Sequence, residues 1–476
     1  MYTNHRVFDW NSQEAFARVS ADYNPIHMDP ISARRTQTGA PIVHGVHSLI
    51  WILECFAQSE LYTLGHKSLK VQFLKPIYVG DEVKVEISKS TTKAFRARIS
   101  VDSEEVINAT IGFEVMKLAN LPVQELSLLR PAPPPNSPDD RDLDEVKGLS
   151  GCLGFGQPVS DITALFPAAV RAFGFSNLAA LAYSSCLVGM VAPGLHSIFS
   201  SLEISFSEDN TAPADAVQFS VVSILKRFGS VRIGVRTRGF CGFLEALRRA
   251  PPAKQPSIES VRSRVSPKEF LNNTALVVGG SRGLGELTAK LIVAGGGAAV
   301  ITYARGKSDA DAVVSEMRSS GFKCTTACYD VHQPALGQLA ALGVAPTHVY
   351  YFPTPTIFRR KAGIFDPNRF AEFNLFYVTA FFDLVQTCIR LRPEGVKVFY
   401  PSSVFVNDRP ANLAEYAMSK AAAEVLSADI SRFVPGVEVL TRRLPRLFTD
   451  QTSSALHVEM TDPIEVLLPI VREMHR

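Results

Sequence analysis

Val19–His47 reads VSADYNPIHMDPISARRTQTGAPIVHGVH, and the fold of the first half of the chain turns on this stretch. An acid, Asp22, and a base, His27, stand five residues apart across Asn24-Pro25. That dipeptide turns the chain, because Pro presets φ and Asn bonds its own backbone. Eighteen residues after His27 comes Gly45, ahead of the apolar run SLIWILECFAQ at Ser48–Gln58. The run predicts a buried helix. The first N–H groups of a helix have no partner inside it, so Gly45, with His44 beside it, offers a bare donor to a substrate oxygen. The spacing therefore predicts a loop holding an acid and a base over a helix N-terminus. Such a set suits adding or removing one water beside a thioester: Asp22 and His27 share the water, and the Gly45 N–H steadies an enolate-like oxygen. Taken singly, each of these residues would serve equally as a turn cap.

The pattern as a whole is more specific. Ser20, Asp22, Asn24, Pro25, His27, Asp29 and Pro30 spell S-x-D-x-N-P-x-H-x-D-P, and Pro41, Val43, His44 and Gly45 spell P-x-V-H-G. This resembles the signature of the hydratase-2, or MaoC-like, family of hot-dog-fold enzymes. The likeness continues through SLKVQFLKPIYVGDEVKVEIS at Ser68–Ser88 and covers roughly residues 1–100. It implies (R)-specific hydration of trans-2-enoyl thioesters, or the reverse dehydration, with Asp22 and His27 as the catalytic pair.

A chain of 476 residues exceeds one ordinary core and predicts about two to four domains. Its 46% hydrophobic and 20% charged residues are those of a globular protein. A net charge of +3, with Lys and Arg scattered, argues against a nucleic-acid partner. The seven Cys show neither paired metal spacing nor a disulfide framework, so no metal is expected. An odd count without a secretory apolar segment predicts a reducing, cytoplasmic location, and Met474-His475-Arg476 is not a peroxisomal address. No apolar run reaches the length of a membrane span.

Between Val71 and Met116 the segments VQFLKPI, EVKVEISK, FRARISVDS and VINATIGFEVM alternate as short strands, with a turn at Gly80-Asp81. An antiparallel meander after one apolar helix is a sheet wrapped around a helix, expected over residues 1–125. Residues 126–149, which contain RPAPPPNSPDDR at Arg130–Arg141, read as a Pro-rich linker. Residues 150–250 repeat the element order. SNLAALAYSSCLVGMVAPGL at Ser176–Leu195 precedes alternating strands, and SLEISF at Ser201–Phe206 echoes SLKVQF at Ser68–Phe73. This half carries no Asp-x4-His and no Val-His-Gly, so it reads as a degenerate second hot dog that completes an internal pseudo-dimer. Residues 251–270, with PPAKQPSIESVRSRVSPK, read as a second linker.

The pattern then changes. Thr274–Val278 is a short apolar strand running into GGSRGLG and the helix ELTAKLIVAGG. Gly279, Ser281, Arg282, Gly283, Leu284 and Gly285 form a tight turn whose helix N-terminus accepts a phosphate. The next strand, AAVITYARG, ends in Tyr303-Ala304-Arg305 without an acid. With Arg282 and Arg305 at hand, this favours the 2′-phosphate of NADP over the free ribose hydroxyl of NAD. Asp330, closing CTTACYD, is expected near the adenine. In VKVFYPSSVFVNDRPANLAEYAMSKAAAEVL, Ser403 stands thirteen residues before Tyr416 and Tyr416 four before Lys420. Four residues apart on a helix share a face, where the ammonium is expected to lower the phenol pKa.

From about residue 271 to 476 the chain resembles the short-chain dehydrogenase/reductase family. The resemblance implies Tyr416 as acid/base, Lys420 as ligand of the nicotinamide ribose, Ser403 as the group orienting the carbonyl, and Asn374 in FAEFNLFYVTAFF as the helix Asn of the proton relay. Three departures stand out. YYFPTPTI at Tyr350–Ile357 replaces the usual Asn-Asn-Ala-Gly, Pro445-Arg446 replaces Pro-Gly, and no seventh strand is evident around VLLPIVREMHR.

The expectation is a multidomain chain, an α+β double hot dog followed by an α/β Rossmann domain with a doubly wound parallel sheet. Its two activities would share a 3-hydroxyacyl thioester: a hydratase/dehydratase, and an NADP(H)-dependent 3-oxoacyl thioester reductase. Partners would be an acyl-CoA or acyl carrier protein thioester and further copies of the chain in a homo-oligomer. The rivals are an active hydratase carrying a degenerate NADP-binding or assembly module, and a thioester-binding interaction protein.

Overall fold

The computed structural model describes residues 1–476 except 117, 119–120, 122–128, 157–160, 344, 359–362 and 451–460. It divides into two compact units, Met1–Pro251 and one that begins at Pro252.

In the first unit ten strands share one antiparallel sheet: β1 (Tyr2–Val7), β2 (Ser68–Phe73), β3 (Glu82–Thr91), β4 (Ala94–Val101), β5 (Glu104–Gly112), β6 (Ser150–Gly154), β7 (Ser197–Phe206), β8 (Ala216–Leu225), β9 (Ser230–Arg236) and β10 (Phe240–Arg248). Their order is β1-β3-β4-β5-β2-β7-β10-β9-β8-β6. The period of two decides which face is buried: Val83, Val85 and Ile87 of β3 and Phe95, Ala97, Ile99 and Val101 of β4 point inward, with polar residues between them. Each half of the sheet wraps a helix. Gly45–Gln58 is buried from Val46 to Phe56, and Phe175–Cys186 from Leu178 onward. The edge strand β1, polar along YTNHRV, was not anticipated from sequence.

The halves join where β2 pairs with β7, Leu69 opposite Ile204, Lys70 opposite Glu203 and Val71 opposite Leu202. The SLKVQF and SLEISF echoes thus face each other about a pseudo-dyad, and Lys70 and Glu203 form an ion pair there. Two identical halves would oppose like charges at that position, which destabilises a strand pair. A second tie is Glu54, buried on the first helix. Its carboxylate accepts hydrogen bonds from Ala168 N (3.2 Å) and Ala169 N (2.7 Å) at the start of the helix Pro167–Phe173, the end where the dipole favours an anion.

Within the Pro-rich stretch read as a linker, the residues from 129 onward are fastened to the second half. Ala132 N donates to Cys152 O and Gly154 N to Ala132 O, both at 2.8 Å, and Asp139 N donates to Met190 O at 2.9 Å. Residues 126–128 lie outside the described residues.

The second unit holds a six-stranded parallel sheet of β11 (Thr274–Val278), β12 (Ala298–Tyr303), β13 (Cys324–Cys328), β14 (His348–Tyr351), β15 (Val396–Ser403) and β16 (Val437–Leu444). The order β13-β12-β11-β14-β15-β16 is that of a doubly wound fold. Both faces are covered, so the strands read as apolar runs. The stretch 251–270 belongs to this core: Ile258, Val261, Val265 and Phe270 are buried, and Ser257 caps the helix Ile258–Arg262. Their apolar spacing is hidden by the polar residues around them. Among the described residues no strand lies beyond β16; the helix Pro463–His475 packs on the helix Gly283–Ala294.

Among the described residues no single helix is long and apolar enough to cross a membrane; the bent pair Pro167–Phe173 and Phe175–Val191 meets that test by length and composition only.

Candidate active sites

In the first unit the helix Trp10–Ser20 ends at Ala21, whose φ of 54° turns the chain and delivers Asp22 into the interior, 1% exposed. Asn24 fixes the turn twice. Its Oδ1 accepts from Ile26 N at 3.1 Å, and its Nδ2 donates to Gly189 O at 2.6 Å. Buried Gln13 holds the far side, with Nε2 donating to His27 O at 3.2 Å and Ile42 O at 2.8 Å. His27 Nδ1 donates to Ile42 O at 2.8 Å, which leaves Nε2 its lone pair as a base. His44 Nε2 donates to the Asp22 backbone carbonyl at 3.0 Å and lies 3.9 Å from its Oδ2. The His27 and His44 rings stack at 4.0 Å, and a nitrogen or oxygen from each of Asp22, His27 and His44 lies within 4.8 Å of the others.

Burial raises the Asp22 pKa; the His27 charge and hydrogen bonds from Ser185 Oγ (2.6 Å) and Asn24 N (3.1 Å) oppose it. Burial lowers His27, opposed by Asp22, and holds His44 well below the ordinary histidine range, as a neutral group. Gly45 opens its helix with no side chain capping it, and a Cβ there would stand 3.0 Å from the Phe73 ring. The structure therefore brings Asp22 and His27 together, with Gly45 next in the chain to His44.

Sequence reasoning missed the contribution of the other half. Ser185 touches Asp22, and a Cβ at Gly189 would lie 2.5 Å from Asp22 Oδ1 and 2.7 Å from Oδ2. A lone Gly within CLVGMV gave no sign of this.

In the second unit Gly279 has φ +76° and Gly283 φ +59°, and a Cβ on Gly285 would overlap the Gly279 carbonyl. Ser281 is buried, Leu284 is half-buried, and Arg282 precedes the helix Gly283–Ala294 without capping it, so its first N–H groups meet no capping side chain. Arg282 Nη1 pairs with Asp450 Oδ2 at 3.0 Å, and Asp450 Oδ1 accepts from Ala253 N at 2.9 Å. Arg305 is exposed at the tip of β12. Asp330 accepts from His332 N (3.0 Å) and Nδ1 (2.8 Å), bonds that hold its pKa low and make it a strand-end turn. The Phe352-Pro353 backbone of the altered loop packs against Gly279, about which a Cβ would come within 3.2 Å.

Ser403 hydrogen-bonds Tyr416, whose phenol burial pushes up to about 12 against that bond. Lys420 is pushed down to about 7 by burial, opposed by Glu424. Its Nζ donates to Pro401 O at 2.7 Å and lies 3.9 Å from the Tyr377 ring, 4.7 Å from Tyr400 and 6.0 Å from Tyr416. In this arrangement burial sets the Tyr416 pKa, and the opposing pull comes from the Ser403 hydroxyl rather than from the ammonium. Asn374 ends the helix Pro367–Asn374, half-buried, and makes no hydrogen bond to Ser403, Tyr416 or Lys420. The rings that meet Tyr416 from this segment are Phe373 and Tyr377, each at 5.7 Å. Tyr377 lies in a π-helical turn, Leu375–Thr379, whose extra residue per turn shifts the face presented. A 3.6-residue reading of FAEFNLFYVTAFF does not reveal that shift.

These two constellations have known counterparts. The family described as MaoC like domain matches residues 4–110, and that described as short chain dehydrogenase matches 273–439. The chain is 32% identical over 110 residues to 3-hydroxybutyryl-CoA dehydratase of Methylorubrum extorquens, covering 21% of this chain and 69% of that one. It is 39% identical over 75 residues to the (R)-specific enoyl-CoA hydratase of Aeromonas caviae, covering 15% and 55%. It is 31% identical over 102 residues to peroxisomal multifunctional enzyme type 2 of Mus musculus, covering 20% and 14%. The chain thus spans about half the length of the Aeromonas enzyme and a small part of the mouse one. With the loop of Asp22 and His27 in one unit and the Gly turn with Ser403, Tyr416 and Lys420 in the other, the chain belongs to the MaoC-like family through its N-terminal unit and carries a short-chain dehydrogenase domain in its C-terminal unit.

Proposed function

We propose a bifunctional enzyme, an (R)-specific enoyl thioester hydratase/dehydratase joined to an NADP(H)-dependent 3-oxoacyl thioester reductase. The observation that carries the reading is the pairing of buried Asp22 with half-buried His27, with acceptor atoms within 4.8 Å, beside the uncapped helix start at Gly45. The pair orients one water, whose oxygen bonds to Cβ of the enoyl thioester as Asp22 takes its proton. The electron pair moves onto the thioester oxygen, where the Gly45 N–H stabilises it. The proton then returns to Cα, so H and OH add across the double bond; dehydration is the reverse.

In the second unit the glycine cradle and the uncapped N-terminus of Gly283–Ala294 fit a dinucleotide pyrophosphate, with Arg282 and Arg305 for the 2′-phosphate and Lys420 for the ribose. Bound there, the nicotinamide supplies a hydride. Tyr416 gives its phenolic proton to the carbonyl oxygen that Ser403 holds, and a phenol raised to about 12 stays protonated for that donation. Both reactions act on a 3-hydroxyacyl thioester, which is the chemical reason for the fusion.

The test is crotonyl-CoA hydration followed at the enoyl absorbance, and NADPH oxidation with acetoacetyl-CoA, on the full chain. Hydration without NADPH binding would leave the reductase unit as a degenerate module; neither activity, with acyl carrier protein thioesters also inert, overturns the reading.

Asp450 bears on cofactor choice because its carboxylate occupies Arg282. Asp450→Asn is expected to tighten NADPH binding about fivefold, by freeing the guanidinium from a partly exposed ion pair, and to leave NADH binding unchanged. Fluorescence titration with both cofactors reads the difference. The oligomer proposal rests on Phe382, Met418 and Val425, which are 40%, 48% and 66% exposed on the helices Ala380–Leu391 and Ala414–Phe433. Light scattering is expected to give a mass above the 52.0 kDa of one chain.

A further inference from the structure

We propose that Ser185, on the helix of the second hot dog, is a positioning residue for hydration: its hydroxyl fixes the Asp22 carboxylate, so the half lacking an Asp-x4-His loop completes the site of the half that has one. The proposal rests on the hydratase reading above.

Two features of one helical run are aimed at the same carboxylate. Ser185, 4% exposed, donates from Oγ to Asp22 Oδ2 at 2.6 Å. Asn24 N donates to Oδ1 at 3.1 Å, so each oxygen has a protein donor and keeps a lone pair for water. Four residues after Ser185, Gly189 leaves the room the carboxylate fills: any Cβ there would stand 2.5 Å from Oδ1. Asn24 Nδ2 closes the loop down on the Gly189 carbonyl at 2.6 Å. A donor, a gap and an anchor therefore all come from residues 185–189, far from Asp22 in the chain. A purely structural second half would need none of the three to face Asp22.

The titratable groups facing Asp22 are His27 on its own loop, His44 at the head of the first helix and Cys186 beside Ser185; the Arg249 charge bears on His27. None of these changes in a Ser185 variant. The Ser185 bond favours the ionised carboxylate, so its removal raises the pH at which Asp22 becomes a base.

The experiment compares kcat/KM and kcat for crotonyl-CoA hydration against pH in the wild type, Ser185→Ala, Ser185→Thr and Asp22→Asn, with melting temperatures alongside. Ser185→Ala is expected to lower kcat about tenfold and to move the acid limb up by about one pH unit. Ser185→Thr, which keeps the hydroxyl, restores both. An acid limb that stays in place in Ser185→Ala overturns the positioning role, whatever happens to rate or stability, provided Asp22→Asn is inactive. If the wild type hydrates no faster than Asp22→Asn, the hydratase reading itself fails and this proposal with it.

Discussion

Asp22→Asn is expected to slow crotonyl-CoA hydration about a thousandfold, the order of a lost general base, with NADPH oxidation untouched. The substitution is nearly isosteric. One of the two donors, Ser185 Oγ or Asn24 N, keeps the amide oxygen as acceptor, and the bonds of the Asn24 side chain to Ile26 N and Gly189 O still anchor the loop, but an amide cannot take the proton from water. The fold should not weaken. Asp22 is fully buried and its pKa is raised in the folded state, so the unfolded chain releases this proton more readily. Such a group costs stability once pH rises above its unfolded pKa, and that cost is full above its folded pKa. At neutral pH the Asn variant should therefore melt no lower than the wild type. A variant that hydrates at the wild-type rate would leave Asp22 with a structural role only and return the thioester-binding reading.

Tyr416→Phe is expected to lower NADPH-dependent reduction of acetoacetyl-CoA by about a thousandfold as well, while hydration continues at its full rate. The variant keeps the ring contacts with Phe373 and Tyr377 and removes only the hydroxyl that Ser403 bonds. The wild-type pH profile adds a signed expectation. Lys420 is pushed down to about 7, so it is charged below that pH and neutral above it. If its ammonium holds the ribose, kcat/KM for reduction, which reports the free enzyme, falls as pH rises through that value. A profile flat across neutrality would remove Lys420 from that role. Tyr416 contributes no limb there, because a phenol near 12 remains protonated throughout.

How much of this was legible in the sequence depended on distance along the chain. The loop of Asp22 and His27 was readable because its turn residues, its acid, its base and the helix that follows are contiguous. So was the Gly turn between β11 and its helix, where strand, turn and helix are adjacent. Alternation along β3, β4 and β5 gave the sheet directly, since one face is buried. What stayed hidden is long-range or depends on a local irregularity. Ser185 meets Asp22 across 163 residues and Asp450 meets Arg282 across 168, and no single-sequence pattern links such pairs. Tyr377 stands against Lys420 in a π-helical turn, Leu375–Thr379, whose helical phase a 3.6-residue reading does not give. The segments read as linkers were judged by Pro and polar content, which masks the buried Ile258, Val261 and Phe270 and the backbone bonds of Ala132 and Asp139.

The opposed Lys70 and Glu203 at the join of β2 with β7 amount to a rule of partner choice. A hot dog that pairs with its own copy must be self-complementary at its dyad, whereas here each edge is written for the other. Produced as separate pieces, the halves would favour the mixed pair over either matched pair, and Lys70→Glu combined with Glu203→Lys would restore the preference that each change alone removes. The fusion thus sets a half bearing an Asp-x4-His loop against one without it across this seam, and each chain carries one such loop rather than two.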